Sequence, residues 1–386
     1  CIALAKVDLP TSSANNTGCG AMFSGCYNLQ SVTLPQDMSG SSMTNLVSTF
    51  QNCYSLTGVT LPPALPGVTT LQDTFNSCYS LTTLKLPSEL PLVTNFVRAF
   101  SDCRSLITIE IPQFYSGSSG FYDFNSAFLR CVSLEYVKMP TYVNPTPLFY
   151  ANSMFQTCYS LKSFIFPPNA NLENLSATFN NASSLASLTL PMTTSITTFA
   201  NAFNGCYDLQ DITLPNTIGA AAVPMTSTFF NCYSLSKIVI PSSYNLGSML
   251  NAFQNCSTLN SVILPNNTQN SITSLSSTFS ACVNLKSITL PTSLNGVTST
   301  ASMFQGCNEL TGATFPTSMN TVSTTSTMFS SCFNLESVTL PTSMTSLTSL
   351  NSMFLNCYKL KTLTLPSTVS VTSNMQAIVQ NCFSLK

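Results

Sequence analysis

One frame, repeated from end to end, constrains this chain more than anything else in it. Cys53-x-x-Leu56-x-x-Val59-x-Leu61-Pro62 recurs with its Cys at positions 1, 26, 78, 103, 131, 158, 206, 232, 256, 282, 307, 332 and 357. Ala182 takes the Cys place in one copy that keeps Leu185, Leu188, Leu190 and Pro191, and a last copy runs from Cys382 to Leu385. That makes about 16 frames at a spacing of roughly 25 residues. A period of this size means that one supersecondary unit is repeated and stacked, because no single unit can bury its own apolar edge.

Each unit reads in three parts. Leu-x-x-apolar-x-apolar ends in strict alternation, the mark of a short strand buried on one face. The Pro that follows cannot donate to a sheet ladder and ends the strand. The return leg is apolar at about every third residue, as in Met344, Leu347, Leu350 and Met353-Phe354. That spacing predicts a short helical turn with Met353, Phe354 and Cys357 on one side. The expected architecture is therefore a right-handed solenoid, 1–386 as a single domain, with a parallel sheet on one side and short helical turns on the other.

Composition removes whole classes of function. Among 386 residues only 6% are charged, 12 basic against 13 acidic, and there is no His. Without imidazole there is no Ser-His-Asp or Cys-His nucleophile and no His metal ligand. A net charge of −1 gives no footprint for a phosphate backbone. No apolar run approaches the ~18 residues of a membrane span. No cofactor, metal or catalytic set is expected, and nucleic acid is not an expected partner.

Sixteen Cys invite a disulfide or metal reading. Fifteen, however, share one repeat slot, and Cys19 sits in an apolar slot filled elsewhere by Leu71, Phe96, Met249 and Leu350. Ala182 shows that the common slot needs a small apolar group rather than a thiol. No Cys-x-x-Cys pair exists to start a zinc site. The expectation is a buried ladder of free thiols, with a few lateral disulfides as the alternative.

The frame Phe329-x-x-Cys332-x-x-Leu335-x-x-Val338-x-Leu340-Pro341 resembles the BspA-like class of leucine-rich repeats of microbial surface proteins. The resemblance covers essentially the whole chain. It implies a leucine-rich-repeat solenoid of the α/β repeat class, an extracellular or cell-surface setting, binding to a protein or glycan of another cell or surface, and no enzyme activity. The usual Ala before Phe is here often Met or Thr, as at Met303 and Thr278.

Where a partner binds is suggested by two departures from monotony. In the fifteen frames that run through the strand, the fourth, fifth and seventh places after the Cys slot, which face solvent, hold twelve of the 25 charges. Lys85, Glu110 and Lys138 fall in one row, and Glu135 lies beside Lys162, so unlike charges neighbour one another. Exposed apolar residues join them at Ile107, Tyr136 and Ile165. In addition, the spacing stretches to 28 between Cys103 and Cys131 and to 27 in the next unit, lengthening the return legs 113–124 and 141–150. Tyr and Phe among Ser and Gly suit recognition loops, which singles out Phe114, Tyr115, Phe121, Tyr122 and Tyr142; Phe124 belongs to the core. The candidate patch is 83–165.

Three functions follow in order of expectation. The first is an adhesin-like binding module. The second is a structural solenoid: a chain uncapped at both ends, part of a longer protein, that forms a stalk, fibre or end-to-end filament, including in a virus. The third is ice binding, suggested by the hydroxyl row Thr189, Thr213, Thr289, Thr314, Thr339 and Thr364.

Overall fold

The computed structural model describes residues 4–9, 18–36, 43–88, 90–113, 121–140, 148–192, 194–219, 222–266, 271–369 and 374–386. The chain divides into two compact units, Cys1–Ser195 and Ile196–Lys386. Each is a stack of coils that repeats the sequence frame, so each is a parallel β-solenoid. The strands sit where the alternation places them and pair in parallel, coil to coil. In the first unit Ser31–Thr33 lies between Lys6–Asp8 and Gly58–Thr60, and Thr108–Glu110 pairs with Tyr136–Lys138. In the second unit Lys237–Val239 pairs with Ser261–Ile263, and Ser287–Thr289 with Gly312–Thr314. The central residue of each triplet points inward, as Ile109, Val137, Ile238 and Ile288 do, and its neighbours face solvent.

The return side differs from the expectation of helical turns: no helix forms among the described residues. The backbone there is a second ladder built from tight turns. In the coil leading to Cys78, the N–H groups of Leu71, Asp73, Phe75 and Ser77 donate to Asn95, Val97, Ala99 and Ser101 of the next coil. The alternate groups, Thr74, Asn76 and Cys78, close turns onto carbonyls three residues back. An α-helix would keep every N–H for its own fourth-previous carbonyl. Here every second donor points along the stack, and the turn is opened by left-handed residues. Two such residues occur in each coil, one five places and one immediately before the Cys slot, as Asp73 (φ 54°) and Ser77 (φ 64°). Fifteen such pairs are present among the described residues. Asn and Gly, which tolerate this region best, fill nine of the fifteen places next to the Cys slot.

The core lies between the two ladders. Phe residues three places before the Cys slot stack ring on ring. Phe23, Phe50, Phe75, Phe100, Phe128, Phe155 and Phe179 form the column of the first unit. Phe203, Phe229, Phe253, Phe279, Phe304, Phe329 and Phe354 form that of the second. Neighbouring centroids are 5.3–5.8 Å apart in the first column, the offset-stacked range. After Tyr244, the largest fully buried side chains are Phe.

The cysteines line the same core as free thiols. Fourteen of the described ones are buried and Cys382 is half-buried. Twelve thiols of the common slot donate to the Phe carbonyl of the preceding coil, as Cys53 to Phe23 (3.1 Å), Cys103 to Phe75 (3.2 Å), Cys256 to Phe229 (3.0 Å) and Cys332 to Phe304 (3.0 Å). Buried Thr does the same one residue before Phe: Thr49 donates to Cys19 and Thr278 to Met249, both at 2.9 Å. Burial pushes the thiols up, Cys53 to about 12, with the neighbouring Cys26 adding to the effect. Cys78, Cys131 and Cys282 are raised further by burial and by the thiols on either side.

Two outcomes follow. In the native protein at pH 8 the fourteen buried thiols should resist an aromatic disulfide reagent, and all sixteen should react after unfolding; rapid native labelling of several would contradict the ladder. At Ser331, whose φ is 63°, Ser331→Val should cost about 1–2 kcal/mol while Ser331→Gly costs little, read from urea midpoints. Equal loss in both variants would refute a backbone origin.

Candidate interaction surface

The strand face of coils 83–165 is assembled by the parallel register. A bridge sets Thr83 opposite Thr108, the strand pair sets Thr108 opposite Tyr136, and a further bridge sets Tyr136 opposite Ser163. Successive strands therefore present like-numbered places side by side, about 4.8 Å apart. Glu110 lies opposite Lys138 and accepts a hydrogen bond from its Nζ at 2.5 Å. Glu135 accepts one from Lys162 Nζ at 2.7 Å. Both pairs are exposed, so each contributes on the order of 0–1 kcal/mol and acts mainly on register and local charge. The Glu135 carboxylate holds the Lys162 ammonium above its usual pKa, and that ammonium lies 5.7 Å from the centre of the Tyr136 ring.

Apolar groups stand among these ions. Ile165 is 79% exposed, and Ile107 and Tyr136 are each 45% exposed. Tyr136, Lys138, Met139, Phe164, Ile165 and Pro168 border a groove of about 430 Å³ between the last two of these strands. A second groove, of about 630 Å³, lies between the strands of Lys85 and Glu110.

The lengthened return legs are placed differently from the expectation. Residues Phe121–Asp123, Leu148–Tyr150 and Asn171–Leu172 form a separate three-stranded parallel sheet. Period-two geometry turns Tyr122 inward beside its register partner Phe149, and both are buried. Tyr122 is thus a core residue and not a contact residue; burial also raises its hydroxyl pKa. Phe121 stays exposed, its ring 6.0 Å from that of Tyr150. This sheet is distinct from the one carrying Ile107, Tyr136 and Ile165, so Phe121 is not brought into their row. Phe114, Tyr115 and Tyr142 lie outside the described residues.

One cluster escaped the sequence reading. Asp73 and Asp102 are buried polar residues at left-handed positions of the turn ladder. Arg98 Nε and Nη2 donate to Asp73 at 2.7 and 2.8 Å. Arg130 grips Asp102 with the same two nitrogens, and Arg104 adds contacts at 3.1 and 3.3 Å. Arg104 also covers the Tyr79 ring at 4.5 Å, which ends an exposed stack of Tyr27, Tyr54 and Tyr79. These are all three arginines of the chain. The signal was legible: each sits one or five places from a Cys slot, and each Asp occupies the same place in the preceding coil as its Arg partner. Among the described residues no group of three or more Cys, Asp or Glu is placed to hold a metal ion, and no helix is long and apolar enough to cross a membrane.

Stacked coils, each with one short strand, a Leu-lined core and a turn ladder, define a leucine-rich-repeat protein. The BspA type leucine rich repeat region matches the chain over 1–145, 46–175, 124–248, 175–296 and 249–386. The chain belongs to this family. Its coordinates are similar to those of a leucine-rich repeat protein from Bacteroides ovatus, with a TM-score of 0.52 and 19% identity over 99% of this chain and 91% of that one. A leucine rich cell surface protein from Faecalibacterium prausnitzii gives 0.47 and 23% over 86% of each chain. A leucine-rich repeat protein from Eubacterium ventriosum gives 0.43 and 17% over 92% and 84%. At these identities the likeness concerns the fold. No curated protein matches the sequence.

The Asp–Arg clasps carry a pH signature. Burial alone would raise the carboxyls, but the hydrogen bonds from Arg98 to Asp73, and from Arg130 and Arg104 to Asp102, outweigh it and hold both below their usual pKa. A depressed native pKa contributes stability that is present above the unfolded value of about 3.9 and lost as pH falls through the native one. Asp102→Asn should therefore cost about 2–3 kcal/mol at pH 7, less than a fully buried pair because the guanidiniums are half exposed. Its difference from the parent should shrink below pH 4 in acid denaturation; a pH-independent difference would show that the charge is not what matters.

Proposed function

We propose that this chain is a non-enzymatic binding module of the cell surface or extracellular space, which recognises a protein or glycan on another cell or surface through its strand face. Membership of the BspA-type family supports a repeat scaffold suited to binding. The observation that carries the reading is the set of exposed apolar side chains, Ile107, Tyr136 and Ile165, one on each of three successive coils at the fourth, fifth and seventh places, set among two cross-coil ion pairs on the strand face. Apolar contact area ringed by charge is how interfaces are built. The parallel ladder fixes these side chains without the ordering cost of a loop. Phe121, exposed on the neighbouring return-side sheet, is a second contact candidate; Phe114, Tyr115 and Tyr142 are candidates on their sequence alone.

The test compares the purified chain with the variant Ile107→Ser/Tyr136→Ser/Ile165→Ser on immobilised extracellular proteins and a glycan array. The three positions are exposed, so the variant should keep its urea midpoint within the ~0.5 kcal/mol typical of surface changes. Every interaction that the parent makes should weaken at least tenfold. Undiminished binding by the folded variant would place the site elsewhere.

A further inference from the structure

The seventh place after the Cys slot forms a row across the strand face of the first unit: Thr60, Lys85, Glu110, Lys138 and Ile165. In the middle of that row two lysines flank one carboxylate. Glu110 is bonded to Lys138. Lys85, exposed on the other side of Glu110, has no carboxylate within 4.0 Å among the described residues. At a sheet spacing of about 4.8 Å the glutamate could reach either lysine. Whichever it takes, one positive charge is left over. The other strand-face lysines of this unit are all matched, Lys6 by Asp8 and Lys162 by Glu135.

The surplus charge stands on a ridge between two apolar depressions. Lys85, Leu86, Pro87 and Ser88 form a wall common to both. On one side Val59, Pro62 and Pro63 complete a groove of about 440 Å³. On the other, Leu84, Ile109 and Pro112 complete the groove of about 630 Å³ described above. A concave surface that joins apolar walls to a few polar groups, here Lys85 with Glu110 and several hydroxyls, is the form of a specific site. Among the described residues neither groove has an aromatic ring on which a sugar could stack; Leu, Val, Ile and Pro side chains line them together with Thr, Ser, Gln and Glu110.

We infer that Lys85 is an anion anchor for an extended peptide segment of a partner protein, one that carries an Asp or Glu between two apolar side chains. The carboxylate pairs with the Lys85 ammonium and neutralises the surplus of the row. The flanking apolar side chains, on the same face of an extended strand two residues to either side, enter the two grooves. This rests on the strand face being the binding face, and it adds the chemistry of the occupant.

The probe is a fluorescein-labelled, C-terminally amidated heptapeptide, Ser-Leu-Ser-Glu-Ser-Leu-Ser, compared with its Gln twin by fluorescence polarisation against the whole chain. The Glu peptide should bind at least tenfold more tightly, and the preference should fall as salt rises. Lys85→Gln, at an exposed position, should keep the urea midpoint and abolish the Glu-over-Gln preference. Lys85→Glu should reverse it. Equal binding of both peptides, or a preference that survives Lys85→Gln, overturns the assignment. So does Lys85-dependent binding of an oligogalacturonate in place of the peptide. The Ile107/Tyr136/Ile165 variant leaves Lys85 and both grooves intact. A Glu preference kept there but lost in Lys85→Gln therefore tests the anchor separately from those three apolar side chains.

Discussion

Everything in this molecule depends on the requirement that each coil satisfy its backbone on its neighbours. A coil of about 25 residues has only strands of two or three residues and, among the described residues, no helix, so it cannot close its own hydrogen bonds. The strand side solves this with an ordinary parallel ladder. The return side solves it with turns in which every second N–H leaves the coil, and that geometry is reached only with two left-handed residues per coil. Each left-handed position with a Cβ costs about 1–2 kcal/mol. The compensation is a carbonyl acceptor, in the next coil, for N–H groups that would otherwise lie unpaired beside the core.

The same requirement explains the cysteines. The Phe carbonyl before each Cys slot accepts the N–H of its own Cys and the thiol of the next coil, as Phe50 does from Cys53 and Cys78. A thiol is small enough for the slot and still supplies a weak donor; Ala182 fills the space and gives up the donor. With their pKa values raised by burial, these thiols carry almost no thiolate at neutral pH and are poor targets for oxidation. The fourteen buried cysteines are thereby compatible with the extracellular setting proposed above as free thiols.

What could be read from the sequence was whatever recurs in a fixed slot with a restricted side chain. Leu, Phe, Cys and Pro mark the strand, the core column and the strand end. Lys138 opposite Glu110, and Lys162 beside Glu135, followed from counting places. The left-handed positions were not legible, because Ser, Ala, Thr and even Arg occupy them alongside Asn and Gly. The period-three apolar spacing of the return leg fits a helix and a turn ladder equally well, since both bring every third or fourth residue to one side. Tyr122 was misread for a different reason. Its leg is rich in Ser and Gly, yet Phe121-Tyr122-Asp123 and Leu148-Phe149-Tyr150 lie 27 residues apart, the same as Cys131 and Cys158. A matched spacing within two insertions signals a shared strand rather than two free loops.

The low charge of the chain gains a physical meaning from this architecture. Like places in adjacent coils lie about 5 Å apart on both ladders, so a charge in one coil faces whatever occupies that place in the next. A repeated charge would build a column of like ions with no dielectric relief. Ser, Thr and Asn avoid this, and they also supply hydroxyl-to-carbonyl bonds between coils, as Thr311 to Lys286 and Thr348 to Ser323. Ten of the 25 charges stand where they alternate, in Glu110–Lys138, Glu135–Lys162 and Glu336–Lys361, or where Arg98 and Arg130 close on buried Asp73 and Asp102. On the strand face of the first unit, Lys85 departs from that rule. An unmatched ammonium on a surface otherwise arranged in matched pairs is a site whose counter-ion the chain does not itself provide.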